Sequence, residues 1–194
     1  MRSNAHRLVA VATLVLLSAS ASAGELIERT VAFVNKRPIL LSDVRLTKAL
    51  LGLDDEPAVD RSIEEALMFE EASRLLSGVP AEEKVATEIK NLETRSGGGF
   101  SQAALRRKAL AQIAISDYID LRLRPLVRVD DAEVRRTFGD KAKDDPKAPA
   151  FDEVEDRIRE SLERRSLDRR IEEWVTSIKR RADIRRPDAP TRVR

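Results

Sequence analysis

Three adjacent carboxylate pairs, Asp54-Asp55, Asp130-Asp131 and Asp144-Asp145, have the side-chain type for acid–base work or for holding a hard cation such as calcium. Their spacing argues against both. Immediate neighbours in sequence fall in turns and helix caps, and none of the three opens the spaced acidic ladder with a central glycine that a calcium-binding loop requires. They read as solvated loop acids. Nucleophilic catalysis lacks its parts as well, because the chain has no cysteine and one histidine, His6. His6 lies in a segment that reads as removed, which leaves no Ser-His or Cys-His pair and no imidazole or thiolate metal ligand. The run SGGGFS, Ser96 to Ser101, lacks the Gly-Lys-Ser/Thr ending that gives a phosphate cradle its lysine and metal-binding hydroxyl. It reads as a linker or helix stop. Tyr118 and Trp174, each the single residue of its type, lie on helical stripes as packing residues. No residue is assigned a catalytic, cofactor-binding or metal-binding role, no cofactor is expected, and an enzyme is not the expected class.

The segment that takes His6 away has three parts: the basic start MRSNAHR, the apolar run LVAVATLVLL and the small-residue stretch SASASAG. This is the pattern of a secretory signal peptide, with cleavage expected between Ala23 and Gly24. The apolar run is too short to span a bilayer, which needs about 17 to 25 residues. No cysteine follows it to carry a lipid, and nothing later is apolar enough for stable membrane insertion. Losing Arg2 and Arg7 leaves 34 basic against 34 acidic side chains. The basic character of the whole sequence therefore comes partly from the leader, and nucleic acid is not expected as a partner. The mature chain is acidic before Ser101 and basic after it, which reads as helices with solvated charged faces.

These features need positioning elements, and the chain supplies them in a clear order. Thr30 to Val34 favours a strand, Asn35 tolerates a positive φ, Pro38 suits a turn or an edge, and Ile39 to Leu41 returns as a second strand. Ser42 is the expected N-cap of a first helix running to about Leu51 and Gly52, with Asp43 in its first turn. After the turn DDEP, Asp60 is expected to cap a second helix over RSIEEALMFEEASRLL, stopped by Ser77-Gly78. Pro80 is expected in the first turn of a third helix, which carries Val85, Ile89 and Leu92. Ser101 is expected to cap a fourth that ends near Pro125.

Asp130 and Glu133 then resemble a capping box before Val134 and Phe138, and Gly139 to Ala150 reads as a polar loop. Phe151 to Ile178 carries the longest apolar stripe, through Val154, Ile158, Leu162, Leu167, Ile171 and Trp174 or Val175. It predicts a helix of about 30 residues and 45 Å. Ala182 to Pro187 predicts a short last strand. A two-strand hairpin is marginal alone and needs cover. No internal repeat is evident.

The segment VAFVNKRPILLSDV resembles the start of the SurA-type periplasmic chaperones, a hairpin of form V-x-x-V-N-x-x-x-I before a Ser-capped helix, matched by Val31, Val34, Asn35, Ile39 and Ser42. IEEALMFEEASRL is similar to that family's second helix. VRVDDAEVRRTF resembles the segment leading into its parvulin domain, and FDEVEDRIRESLERRSLDRRIEEWVTSIKRRADI the segment after that domain. A parvulin prolyl isomerase needs about a hundred residues between these flanks. Here only the loop from Gly139 to Ala150 lies between them, so no catalytic residue of the family is carried over.

The resemblance implies a mainly α fold, a SurA N-domain or trigger-factor-like helical module. Its small sheet is formed by the N-terminal hairpin and the C-terminal strand, and its long helix packs back on the N-terminal helices. Residues 1–23 are the leader and 24–186 the module, divided into 24–138, the loop 139–150, and the long helix and strand 151–186. Residues 187–194 are a disordered tail. The implied function is an ATP-independent periplasmic holdase for unfolded polypeptides, outer-membrane proteins among them, without isomerase activity. The alternative is a non-enzymatic helical adaptor for one folded envelope partner. Client binding is expected on an apolar surface between the N-terminal helices and the long C-terminal helix, with Leu50, Leu51, Met68, Phe69 and Phe100 as its candidates.

Overall fold

The structure is a computed structural model and describes residues 28–76, 78–144 and 149–187; Ala23 and Gly24 at the expected cleavage site, part of the expected loop and nearly all of the expected tail lie outside them. Two strands, β1 (Thr30–Val34) and β2 (Arg37–Leu40), form the hairpin read from the sequence. Asn35 at its turn has φ 54°, which an asparagine tolerates better than most side chains. Six α-helices follow: α1 (Leu41–Leu51), α2 (Asp55–Leu75), α3 (Glu82–Ser96), α4 (Gln102–Tyr118), α5 (Asp131–Asp144) and α6 (Phe151–Lys179). The last strand, β3 (Ile184–Arg185), pairs antiparallel with β1 through Phe33↔Arg185 and Val34↔Ile184, so the sheet order is β2-β1-β3. The fold is mainly α with a small antiparallel sheet that joins the two ends of the chain, as expected.

Several boundaries differ from the sequence reading. Ser42 is not the cap of α1 but lies inside its first turn, 4% exposed. Glu28, from before β1, reaches over instead: its carboxylate accepts the Ser42 N–H at 3.2 Å and the Ser42 hydroxyl at 2.9 Å. A helix end needs an acceptor, and a distant carboxylate serves as well as a local serine. Asp60 is likewise inside α2, which begins at Asp55 because Pro57 and the acids of DDEP fit a first helical turn better than a loop. Pro80 precedes the third helix, whose N-cap is Ala81. Ser101 does cap α4, accepting the Ala104 N–H at 3.2 Å. Beyond Tyr118 that helix widens into a π-helical turn, Ile119–Leu123, and then a 3-10 turn, Arg124–Leu126, that takes in Pro125.

The first half of the expected loop from Gly139 is helix, since α5 runs on to Asp144. Gly139 costs α5 about 1 kcal/mol relative to alanine, which packing offsets. Val134 is buried with Ile158 and Leu162 of α6, and Phe138 meets Phe151 edge to face at 5.3 Å. Residues 145–150 alone join α5 to α6.

The 29-residue α6 is longer than any other helix here because it has a succession of partners. Its first half packs on α5. Leu167, Ile171 and Trp174 then pack around Tyr118, Leu123 and Ala72, and Ile178 enters the main core with Ala32, Val34, Ile63 and Leu67. A second core under α1, α3 and α4 gathers Leu46, Val85, Leu92, Leu105 and Ile113. This is the cover that the hairpin needs: α2 and α6 bury its inner face.

Candidate functional site

One strongly apolar concavity, of ≈ 370 Å³, opens beside β2. Its first wall is the whole of that strand, Arg37 to Leu40, with Asp43 at the start of α1. On α2, Ser62, Glu65, Ala66 and Phe69 recur at three- and four-residue spacing and form its floor beside the helix's core stripe of Ile63 and Leu67. The opposite wall is α4, through Arg107, Lys108, Leu110 and Ala111. It therefore lies between the hairpin and the N-terminal helices and does not involve α6, contrary to the expected position. The reason is that α6 spends most of its apolar stripe on three successive clusters, with α5, around Tyr118 and Leu123, and in the main core.

The charges around the groove are mostly satisfied within it. The Lys108 ammonium, 7% exposed, donates to Glu65 and, at 2.9 Å, to the Thr47 hydroxyl. The Ser62 hydroxyl donates to the Ala58 carbonyl at 2.8 Å and sits 3.2 Å from Thr47. A buried ammonium without such partners would carry a large desolvation cost, so these four side chains form one polar unit beneath an apolar surface. Arg107 grips Asp43 through Nε at 3.0 Å and Nη2 at 2.8 Å, and donates to the Ser42 hydroxyl at 3.0 Å. Arg37 is different: among the described residues it has no carboxylate partner, and its guanidinium lies 4.8 Å from the centre of the Phe69 ring.

Of the five candidate client-binding residues, Phe69 alone lines this groove. Met68 is 3% exposed and belongs to the main core with Ile63 and Leu67, which corrects its assignment to an exposed surface. Adjacent residues on a helix point about 100° apart, so Met68 and Phe69 cannot share one role. Leu50 and Phe100 pack, half-buried, against the second core. Leu51 is 49% exposed but lies away from the groove, beside Gly52 at the end of α1. The sequence reading did not single out Arg37, Ala66, Leu110 and Ala111. The available signal was the second helical stripe of α2, from Ser62 to Phe69, which runs beside the core stripe and is hard to see because it mixes small, acidic and aromatic residues.

Two of the three carboxylate pairs have structural places, and the third, Asp144-Asp145, lies at the edge of the described residues with Asp145 outside them. Asp54 is the N-cap of α2, and Asp55 pairs with Lys48 at 2.5 Å, which holds the Asp55 carboxyl below its usual range by hydrogen bond and charge. The Asp130 carboxylate accepts the Ala132 N–H, and Asp131 pairs with Arg159 at 2.8 Å. Among the described residues, no three His, Cys, Asp or Glu side chains gather as a metal site, and no helix is long and apolar enough to cross a membrane. Tyr118 and Trp174 stack on each other, 4.4 Å between centroids at 16°. Burial, reinforced by the charge of Glu71, raises the Tyr118 phenol above its ordinary value.

No protein-family model matches the chain, and a search of curated proteins likewise finds no match.

Proposed function

We propose that the chain is exported to the periplasm, loses its leader, and acts there as an ATP-independent holdase for unfolded polypeptides, outer-membrane proteins among them, without isomerase activity. The observation that carries this reading is the groove beside β2. It is open and apolar, and it is floored by Ala66 and Phe69 over a polar unit whose charges are already paired. Such a surface offers burial to any chain with exposed aliphatic or aromatic groups and demands no particular sequence. The balance of charge in the mature chain points the same way, since it leaves apolar burial as the main source of affinity. The direct packing of α5 on α6 supports the absence of isomerase activity, because six residues connect the elements between which the resembling family carries its parvulin domain.

The test is light scattering of an outer-membrane β-barrel protein diluted from urea, with and without a several-fold excess of the purified protein, at low and at physiological salt. A folded protein serves as control. Suppression of scattering that survives the added salt is expected, because exposed ion pairs are screened over about 8 to 10 Å whereas apolar burial is not. No suppression, or suppression that disappears with salt, favours an adaptor for one folded partner. In a prolyl cis–trans assay the protein is expected to leave the spontaneous exchange, tens to hundreds of seconds, unchanged.

A further inference from the structure

We propose that the groove takes an extended, unfolded peptide parallel to β2, held through the N–H and C=O of one residue, with that residue's apolar side chain beside Phe69 and a carboxylate two positions earlier on Arg37. The proposal rests on the holdase reading and adds a binding mode to it.

The main-chain part follows from the edge. In the order β2-β1-β3, β2 has one free side, and all four of its residues line the groove, so that free side opens into it. Across the hairpin the Leu41 N–H donates to the Arg29 carbonyl at 2.8 Å, and Ile39 and Arg37 are register partners of Ala32 and Val34. Because strand groups alternate, Arg37, Ile39 and Leu41 turn their N–H groups toward β1, while the Pro38 C=O and the Leu40 N–H face outward. In a parallel pairing, a residue lying beside Ile39 donates its N–H to the Pro38 C=O and accepts the Leu40 N–H, which are the two groups available. The grip cannot lengthen in either direction. Pro38 has no N–H, and beyond Leu40, the N-cap of α1, the chain turns into the helix. An edge that pairs with one residue at a time resists aggregation by strand addition and releases its occupant readily.

The side-chain part follows from the floor and the charges. A residue paired beside Ile39 points its side chain to the same face as Ile39, toward α2, where Ala66 and Phe69 lie, with Leu110 and Ala111 across on α4. Arg37 lies on that same face, two residues before Ile39, and its guanidinium stacks on Phe69. With Arg107 on Asp43 and Lys108 on Glu65, Arg37 is the groove cation left without a carboxylate among the described residues. A carboxylate two positions before the apolar residue completes it, so the preferred occupant reads acid-x-aromatic.

The test uses fluorescein-labelled Gly-Asp-Ser-Phe-Ser-Gly, blocked at its C-terminus, and its fluorescence anisotropy with the exported, purified protein. Methylating the phenylalanine nitrogen removes the donor to Pro38 and is expected to weaken binding about tenfold. Replacing the peptide's aspartate by asparagine is expected to weaken binding two- to fivefold, by about 0.5–1 kcal/mol, and to have no further effect on Arg37→Gln protein. The chain has no cysteine, so Leu110→Cys provides a single thiol in the groove, and the unmodified peptide is expected to shield it from alkylation while the methylated one does not. Equal binding of the methylated peptide, or binding without shielding, overturns the proposal. A protein that suppresses client aggregation but binds none of these peptides refutes this mode and leaves the holdase reading. One that binds the peptides in the expected order but suppresses no aggregation refutes the holdase reading and leaves the groove.

Discussion

Asn35 and Asp183 hold each other by two hydrogen bonds: the Asn35 N–H donates to the Asp183 carbonyl at 2.7 Å, and the Asp183 N–H donates to the Asn35 side-chain oxygen at 3.0 Å. The same asparagine amide donates to Glu70 of α2 at 2.8 Å, so one turn residue ties the hairpin to the last strand and to the helical body. Asn35→Gly keeps the positive φ and loses both side-chain bonds. It is expected to cost about 1–3 kcal/mol, read as a lower urea midpoint with unchanged slope. Deleting Trp174 onward removes β3, the stack on Tyr118 and Ile178 from the core. The truncated chain is expected to lose cooperative thermal unfolding, and a transition as sharp as that of the whole protein would show the two ends to be independent.

The buried Lys108–Glu65 pair makes a second expectation quantitative. Removing one partner leaves a charge of the wrong environment in place, so Glu65→Leu is expected to destabilise by about 3–5 kcal/mol. The double variant Glu65→Leu, Lys108→Met replaces both charges with apolar groups and is expected to recover most of that loss. Urea denaturation of the two variants and the parent measures the difference; a double variant as unstable as the single one would mean that the pair, with Thr47, is needed as a unit.

What could be read from the sequence divides along physical lines. The hairpin, the long α6 and the return of β3 to β1 were legible because each rests on a strong pattern: β-branched residues around a turn asparagine, a sustained helical stripe, and a marginal hairpin that needs a third strand. Helix starts were less legible, because Asp54, Asp55 and Asp60 are all competent caps, and the start after Asp54 follows from Pro57 and the acids of DDEP fitting a first turn. Gly139 read as a loop, yet packing of Val134 and Phe138 on α6 carries α5 through it. The groove was barely legible: its main-chain wall is set by strand order, and its floor mixes alanine, glutamate and phenylalanine, which no single apolar periodicity marks.

Tyr118 gives a pH expectation. Its phenol is raised above 10.0, first by burial and then by the charge of Glu71. A raised folded-state value means the folded chain holds the phenolic proton more tightly than the unfolded chain. The stability this contributes is therefore fully present below about pH 10 and is lost as pH rises through the raised folded value. As the sole tyrosine, it can be followed directly by tyrosinate absorbance, which is expected to appear at higher pH in the native protein than in urea. Tyr118→Phe is expected to flatten the alkaline loss of stability relative to the parent, and coincident titration in native and unfolded protein would contradict the raised value.

Neighbouring residues on α2 separate stability from binding. Met68 is buried beside Ile63 and Leu67, whereas Phe69 is half-buried on the groove floor with Arg37 across its face. Met68→Ala removes core volume and is expected to cost about 2–5 kcal/mol, with client binding unchanged at temperatures where the variant is folded. Phe69→Ala is expected to cost less stability, because its ring is only partly withdrawn from water, and to weaken suppression of client aggregation severalfold. Thermal melts and light scattering on the same two proteins decide the matter. If Met68→Ala instead lost client binding while folded and Phe69→Ala kept it, the groove beside β2 would not be the surface on which unfolded chains are held.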